Sequence, residues 1–318
     1  MAEIKKILVG VDLSQRESFQ EAARDAITQE TVRAGVLLAK AHAAQMLLFS
    51  ALNLTEEALH HLAHEERALV SRTVEEAAQK ALTDLADKAK NQGVDASWKL
   101  VLGKGWLEII RQVVRDGLDL VVVGTRSQTG LRRLLFGNTA MKLLRRCPCP
   151  VWVNKPGHLS RPLQILVATD LKPVSENALR LGITLGKALG AKVHVLHVVE
   201  FPLDRFGWTG VPDAITLSYH QNVRAAADKN LRQHLDSTEF ASLGVNGEVH
   251  LEDSAGLADV AIQHFIQSHQ IDLLVMGTIG RSGVPGMIFG NTAERILPEV
   301  HCSVLAVKPG EFQSPVSA

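Results

Sequence analysis

Short, continuous apolar runs alternate along this chain with longer stretches whose apolar positions recur at helical spacing. In the second half, Gln164–Thr169 is one such run. Val174–Leu189 follows it, with Ala178, Leu181, Leu185 and Leu189 on one face. Lys192–Val199 is the next run. A long helical stretch then extends from about Pro212 to Leu243, and a strand is expected near Gly247–Leu251. Gly256–Ser268 presents Leu257, Val260, Ala261 and Phe265 together. The apolar run Asp272–Met276, a glycine-rich loop, a helical Ala293–Val300 and a strand Ser303–Val307 complete the series. Runs that are apolar throughout predict strands buried on both faces, and helices between them predict parallel pairing through right-handed crossovers. Five strands connected in this way make a doubly wound α/β sheet, which takes ligands beyond the carboxyl ends of its strands at the topological switch point.

The first half repeats the second. Ile7-Leu-Val-Gly-Val-Asp12 matches Ile165-Leu-Val-Ala-Thr-Asp170, and Leu118–Thr125 matches Ile271–Thr278. Phe136-Gly-Asn-Thr-Ala140 matches Phe289-Gly-Asn-Thr-Ala293, and both copies end in Lys-Pro-Gly. Two domains are therefore expected, 1–156 and 163–310, joined by a linker across 157–162. The first copy carries about eleven extra residues between Ser14 and Thr31, directly after Asp12, which puts the insertion near the mouth of any site there. The second copy has an irregular segment, Glu200–Pro212, whose Phe201, Phe206 and Trp208 suit either a lid or an anchored surface loop.

The chemistry is concentrated in the loop GTIGRSGVPGMIFGNT, Gly277–Thr292, and its counterpart GTRSQTGLRRLLFGNT, Gly124–Thr139. A glycine-rich loop between a strand end and a helix start gathers bare backbone N–H groups and a positive helix end around an anion. Ser127 stands where the second copy has Gly280. A side chain at a position of positive φ costs roughly 1–2 kcal/mol and crowds a phosphate, so the second loop is the stronger candidate. The first loop is nevertheless the more basic, through Arg126, Arg132 and Arg133 against the lone Arg281. No Gly-Lys-Ser/Thr follows either loop, so the lysine of a catalytic P-loop is missing. Binding is expected rather than efficient hydrolysis.

An aspartate at the end of the first strand, Gly-x2-Gly-x9-Gly after the fourth and a closing apolar strand together resemble the universal stress protein family of adenine-nucleotide-binding α/β proteins. The tandem arrangement, the segment Leu143–Pro148 and the tail Lys308–Pro315 resemble its E-type two-domain members. The resemblance implies two adenine nucleotide alpha hydrolase-like domains, each a five-stranded parallel sheet of order 3-2-1-4-5. It implies a nucleotide site made of Asp170, Val198, Met276, Gly277, Gly280, Arg281, Gly290, Asn291 and Thr292. Asn291 departs from the family's Ser or Thr. The matching first-copy positions are Asp12, Ala51, Val123, Gly124, Ser127, Gly137, Asn138 and Thr139. The ligand implied is ATP, ADP or AMP, with Mg2+ or Mn2+ as companion ion, bound chiefly in the second domain as a sensing or regulatory event in a stress response. The alternatives are a scaffold whose pockets are vestigial or hold a lipid-like ligand, acting through an unknown protein partner, and a slow ATPase or autophosphorylating protein. The domains are expected to pair through their last strands as a pseudo-dimer, in a monomer or a homodimer.

Formal net charge is zero, which removes any sign of a general nucleic-acid binder. The N-terminus lacks a secretory signal, no apolar run reaches the length of a membrane span, and three cysteines fit a reduced cytoplasm. Cys149 matches Cys302, so these are read as structural cysteines. His60, His61 and His64 suit a solvated face of the charged Thr55–Ala89 stretch better than a metal site.

Overall fold

The computed structural model describes residues 4–14, 18–54, 63–125, 136–157, 163–238, 240, 244, 246–254, 256–278 and 290–317. The chain folds as two compact units, Met1–Ser160 with Glu311–Ala318, and Arg161–Gly310. The first contains β1 (Lys6–Gly10), α1 (Phe19–Arg24), α2 (Ala26–His42), β2 (Gln45–Leu52) and α3 (His64–Lys90). It continues with β3 (Ala96–Leu102), α4 (Gly105–Asp116), β4 (Leu120–Gly124), α5 (Asn138–Arg146) and β5 (Val151–Asn154). The second contains β6 (Gln164–Ala168), α6 (Pro173–Leu189), β7 (Lys192–Val199), a 3-10 turn (Asp204–Phe206) and α7 (Asp213–Ser237). Then come β8 (Gly247–Asp253), α8 (Ala258–Ser268), β9 (Leu273–Gly277), α9 (Asn291–Ile296) and β10 (Ser303–Val307).

Within the first unit the strands run β3-β2-β1-β4-β5, and within the second β8-β7-β6-β9-β10, all the pairs described being parallel. The expected order is therefore observed. The chain turns in opposite directions from β1 and from β6, which opens a switch point between β1 and β4 and another between β6 and β9. The central strands carry the core: Ile7, Leu8, Val9, Leu120, Leu273 and Val275 are all fully buried. At the opposite end of each sheet an aspartate fixes the start of the paired strands. Asp119 accepts from the backbone N–H groups of Lys5 and Lys6, and Asp272 from that of Gln164.

The helix facing each switch point approaches its strand through glycine. A Cβ on Gly35 of α2 would meet the Val9 side chain, and one on Gly182 of α6 would meet Val167. The long helix expected to reach Leu243 ends at Ser237. There Ser237 Oγ donates to the His234 carbonyl and Thr238 Oγ1 to the Leu235 carbonyl, each at 2.8 Å, which satisfies the last turn. Among the described residues, no helix is long and apolar enough to cross a membrane.

Candidate functional site

In the first unit, β1, β2 and β4 end side by side, and their carboxyl ends form the floor of a cavity of about 520 Å³. Asp12, Ala51, Val123, Gly124, Gly137, Asn138 and Thr139 all line it. Ser127 lies outside the described residues, as do Arg126, Arg132 and Arg133. The inserted segment builds one wall. Ser14, Ala22 of α1 and Asp25 line the cavity, and Asp25 caps α2 by accepting from Ile27 N–H at 3.0 Å. Asp12 accepts from Ser14 Oγ at 2.6 Å and from Ser14 N–H at 3.0 Å. Gly124 is obligatory here: a Cβ would stand 2.7 Å from Ile27 Cγ2 and from Thr31 Oγ1.

Lys104, Trp106 and Lys142 are among the lining residues that the sequence reading did not single out. Lys104 precedes α4, Trp106 lies in its first turn, and Lys142 sits on α5. Lys142 Nζ lies 5.0 Å from the Trp106 ring centroid and Arg146 Cζ 5.2 Å from it, so two cations approach one aromatic ring. Lys155, from the Lys-Pro-Gly segment, is buried with Nζ 5.0 Å from the Phe136 ring, directly before Gly137. The cavity thus combines two carboxylates, an apolar wall of Val11, Ile27, Ile109 and Val123, and exposed amines beside a helix start.

In the second unit the described residues of the predicted set lie at or just beyond the carboxyl ends of β6, β7 and β9 and at the start of α9. Asp170 follows β6, Val198 lies near the end of β7, and Met276 and Gly277 end β9. Gly290 caps α9, Asn291 and Thr292 open it, and Gly290 N–H donates to the Thr278 carbonyl at 2.7 Å. Gly280 and Arg281 lie outside the described residues. Lys172 Nζ pairs with Asp170 at 2.9 Å, and Leu171 between them adopts φ of 60°. Leu171 N–H donates to Thr169 Oγ1 at 3.0 Å, and His197 Nδ1 donates to the Thr169 carbonyl at 2.9 Å, tying β7 to β6 beside Val198. Lys308 is buried and donates to Thr278 Oγ1 at 2.9 Å. Asp259 of α8 holds Arg295 of α9 at 2.8 Å. The repeat matches these two residues to Trp106 and Lys142.

The remaining candidates divide. Glu200–Pro212 is anchored on α7. Asp204 Oδ1 accepts from Trp208 Nε1 at 2.9 Å and His220 Nε2 at 2.8 Å, and Phe201 packs on the His220 ring. The His220 hydrogen bond, followed by that of Trp208, lowers the Asp204 pKa. Phe206 of the same segment remains 78% exposed. Cys147 and Cys302 are buried, and Cys147 Sγ lies 3.6 Å from Cys149 Sγ. That contact, and then burial, raises the Cys149 pKa well above the ordinary thiol range, which keeps it protonated and poorly nucleophilic. His60 and His61 lie outside the described residues, and His64 begins α3.

A sequence model described as the universal stress protein family matches residues 3–155 and again 163–308. The chain belongs to this family. Its relatives include the universal stress protein E homolog of Haemophilus influenzae, 27% identical over 276 residues, covering 83% of this chain and 86% of the relative. Universal stress protein E of Photorhabdus laumondii is 25% identical over 331 residues, spanning 100% of this chain and 99% of the relative. Among solved structures, a universal stress protein from Archaeoglobus fulgidus DSM 4304 superposes with a TM-score of 0.65 at 20% identity over 98% of both chains. A functionally unknown protein from Pseudomonas aeruginosa PAO1 reaches 0.68 at 22% identity over 97% of this chain and 94% of its own. These likenesses establish the fold. The double family match and the full-length relatives make this a tandem universal stress protein of the E type.

Proposed function

We propose that this universal stress protein binds an adenine nucleotide at the carboxyl ends of the strands in both units, as a regulatory event without efficient turnover. The observation that carries the reading is the first unit's cavity, which gathers every described residue of the site expected there. Its chemistry suits a nucleotide in three parts. The apolar wall accepts a base, Asp12 and Asp25 accept hydrogen bonds from sugar hydroxyls, and Lys104, Lys142 and the α5 N-terminus attract phosphates. The Gly-x2-Gly-x9-Gly loop, Asp170 and the Gly290–Thr292 helix start support the same ligand in the second unit. Ligand occupancy would bias the order of the Glu200–Pro212 segment or a partner surface, without chemistry.

Native mass spectrometry of freshly purified full-length protein tests this reading. Retained masses of AMP, ADP or ATP support it. A retained lipid mass, or no adduct at any added nucleotide concentration, supports the scaffold reading instead.

A further inference from the structure

Away from both switch points, the outer strands β7 and β8 bring His194, Glu248 and His250 together on one side of the second unit's sheet. His194 pairs in register with Glu248, and His250 follows two residues along, so both side chains of β8 lie on the face that His194 occupies. His194 Nδ1 lies 3.0 Å from His250 Nε2 and 3.6 Å from Glu248 Oε2, and His250 Nε2 lies 3.7 Å from that same oxygen. Three ligand atoms around a tetrahedral zinc ion, at ordinary Zn–N and Zn–O lengths, stand roughly 3.3–3.5 Å apart. The triangle here has nearly that size. From these contacts we propose that His194, His250 and Glu248 form a site for a divalent transition-metal ion, zinc foremost, which clips the edge strand β8 to β7.

The surroundings prepare the three groups for that task. Gln164 Oε1 accepts from His194 Nε2 at 3.0 Å, which holds the proton on that nitrogen and turns the Nδ1 lone pair toward His250 and Glu248. Lys192 Nζ takes the other Glu248 oxygen, Oε1, at 2.5 Å and leaves Oε2 facing the imidazoles. Phe265 and His269, stacked at 3.8 Å between centroids, wall the rings on the helix side. His194 is buried, whereas Glu248 is 49% exposed in its side chain, so an ion has a path from solvent and an open position for water. Burial, with His250 and Lys192 adding to it, pulls the His194 pKa from 6.5 to about 4, and burial lowers that of His250 as well. Both rings are therefore neutral near pH 7, the form that coordinates a metal. Two imidazoles and one carboxylate suit zinc, cobalt or nickel better than calcium or magnesium.

The test is calorimetric titration of Zn2+ into chelator-treated full-length protein, with His250→Gln and Glu248→Gln as variants. Both positions are partly or largely exposed, and circular dichroism checks that each variant keeps the fold. Wild type should take up one equivalent in a saturable step that raises its thermal midpoint, and each substitution should weaken that step by at least about tenfold. Gln164→Leu should weaken it comparably, whereas Gln164→Glu, which keeps an acceptor facing His194, should retain it. Cobalt should give the visible absorption of a tetrahedral site in wild type and not in His250→Gln. Absence of a saturable step, or a step unchanged in both variants because histidines elsewhere take the metal, overturns the proposal.

Discussion

The Lys142 ammonium lies 5.0 Å above the Trp106 ring, whereas the matching pair in the second unit, Arg295 and Asp259, forms an ion pair at 2.8 Å. The same two positions thus leave a net positive charge beside the first site and neutralise it beside the second. Trp106→Asp should copy the second arrangement, add a carboxylate to the cavity wall, and weaken ATP binding in the first unit by about tenfold. Salt titration should show a shallower dependence in the variant. An unchanged affinity would remove Lys142 from the account of phosphate binding.

Leu171 holds φ of 60° directly after Asp170, a left-handed conformation that costs a side-chain-bearing residue roughly 1–2 kcal/mol. Its N–H is fixed by Thr169 Oγ1, so the turn is imposed by its neighbours. Leu171→Gly should raise stability by about 0.5–1 kcal/mol once the flexibility of glycine is counted. Leu171→Ala, which keeps the strain, should not. Urea denaturation measures both.

Gly35 and Gly182 occupy matching places where a helix crosses a central strand. A Cβ would stand 2.4 Å from Val9 Cγ2 in one and 2.4 Å from Val167 Cγ2 in the other. Alanine at either position should cost about 1–3 kcal/mol by overpacking. Pairing each with Val→Ala at the facing strand should recover part of the loss. Independent, additive losses in that double-mutant cycle would contradict the packing argument.

His234 is buried in α7 with Nε2 3.1 Å from Thr169 Oγ1. Burial lowers its pKa. Glu176 and Asp170 oppose that shift, and His197 and Arg180 reinforce it. Because the folded pKa lies below the ordinary 6.5, the unfolded chain takes the proton first. The stability contributed by neutral His234 is whole above pH 6.5 and is lost as pH falls toward the folded value. Burial of His42 acts in the same direction. The urea midpoint should therefore drop between pH 7.5 and 5.5, and His234→Gln should narrow the drop. A wider drop in the variant would reverse the sign argued here.

The fold was legible because two signals agreed, uniformly apolar strand runs and their recurrence in a second copy. Strands Lys192–Val199 and Ser303–Val307 match their apolar runs residue for residue. The overlong helix after Pro212 shows the limit. Polar hydroxyls at Ser237 and Thr238 end it by taking the last carbonyls, and periodicity does not register that competition. At the site, the glycine spacing singles out two loops whose central residues, Ser127 among them, lie outside the described residues. The wall built by the insertion, and the Trp106–Lys142 contact, arise from helices packing together. The exchange of Trp106 for Asp259 between copies was the available signal. The His194–Glu248–His250 cluster depends on the register between β7 and β8, which no spacing within either strand reveals.

The proposed function puts one adenine nucleotide at the strand ends of each unit. Calorimetric titration of ATP into wild type, Gly137→Val and Gly290→Val addresses it most directly. Wild type should bind two equivalents per chain and each variant one, since a branched side chain before α5 or α9 crowds the phosphate end. No saturable heat, or heats that neither substitution changes, would contradict it.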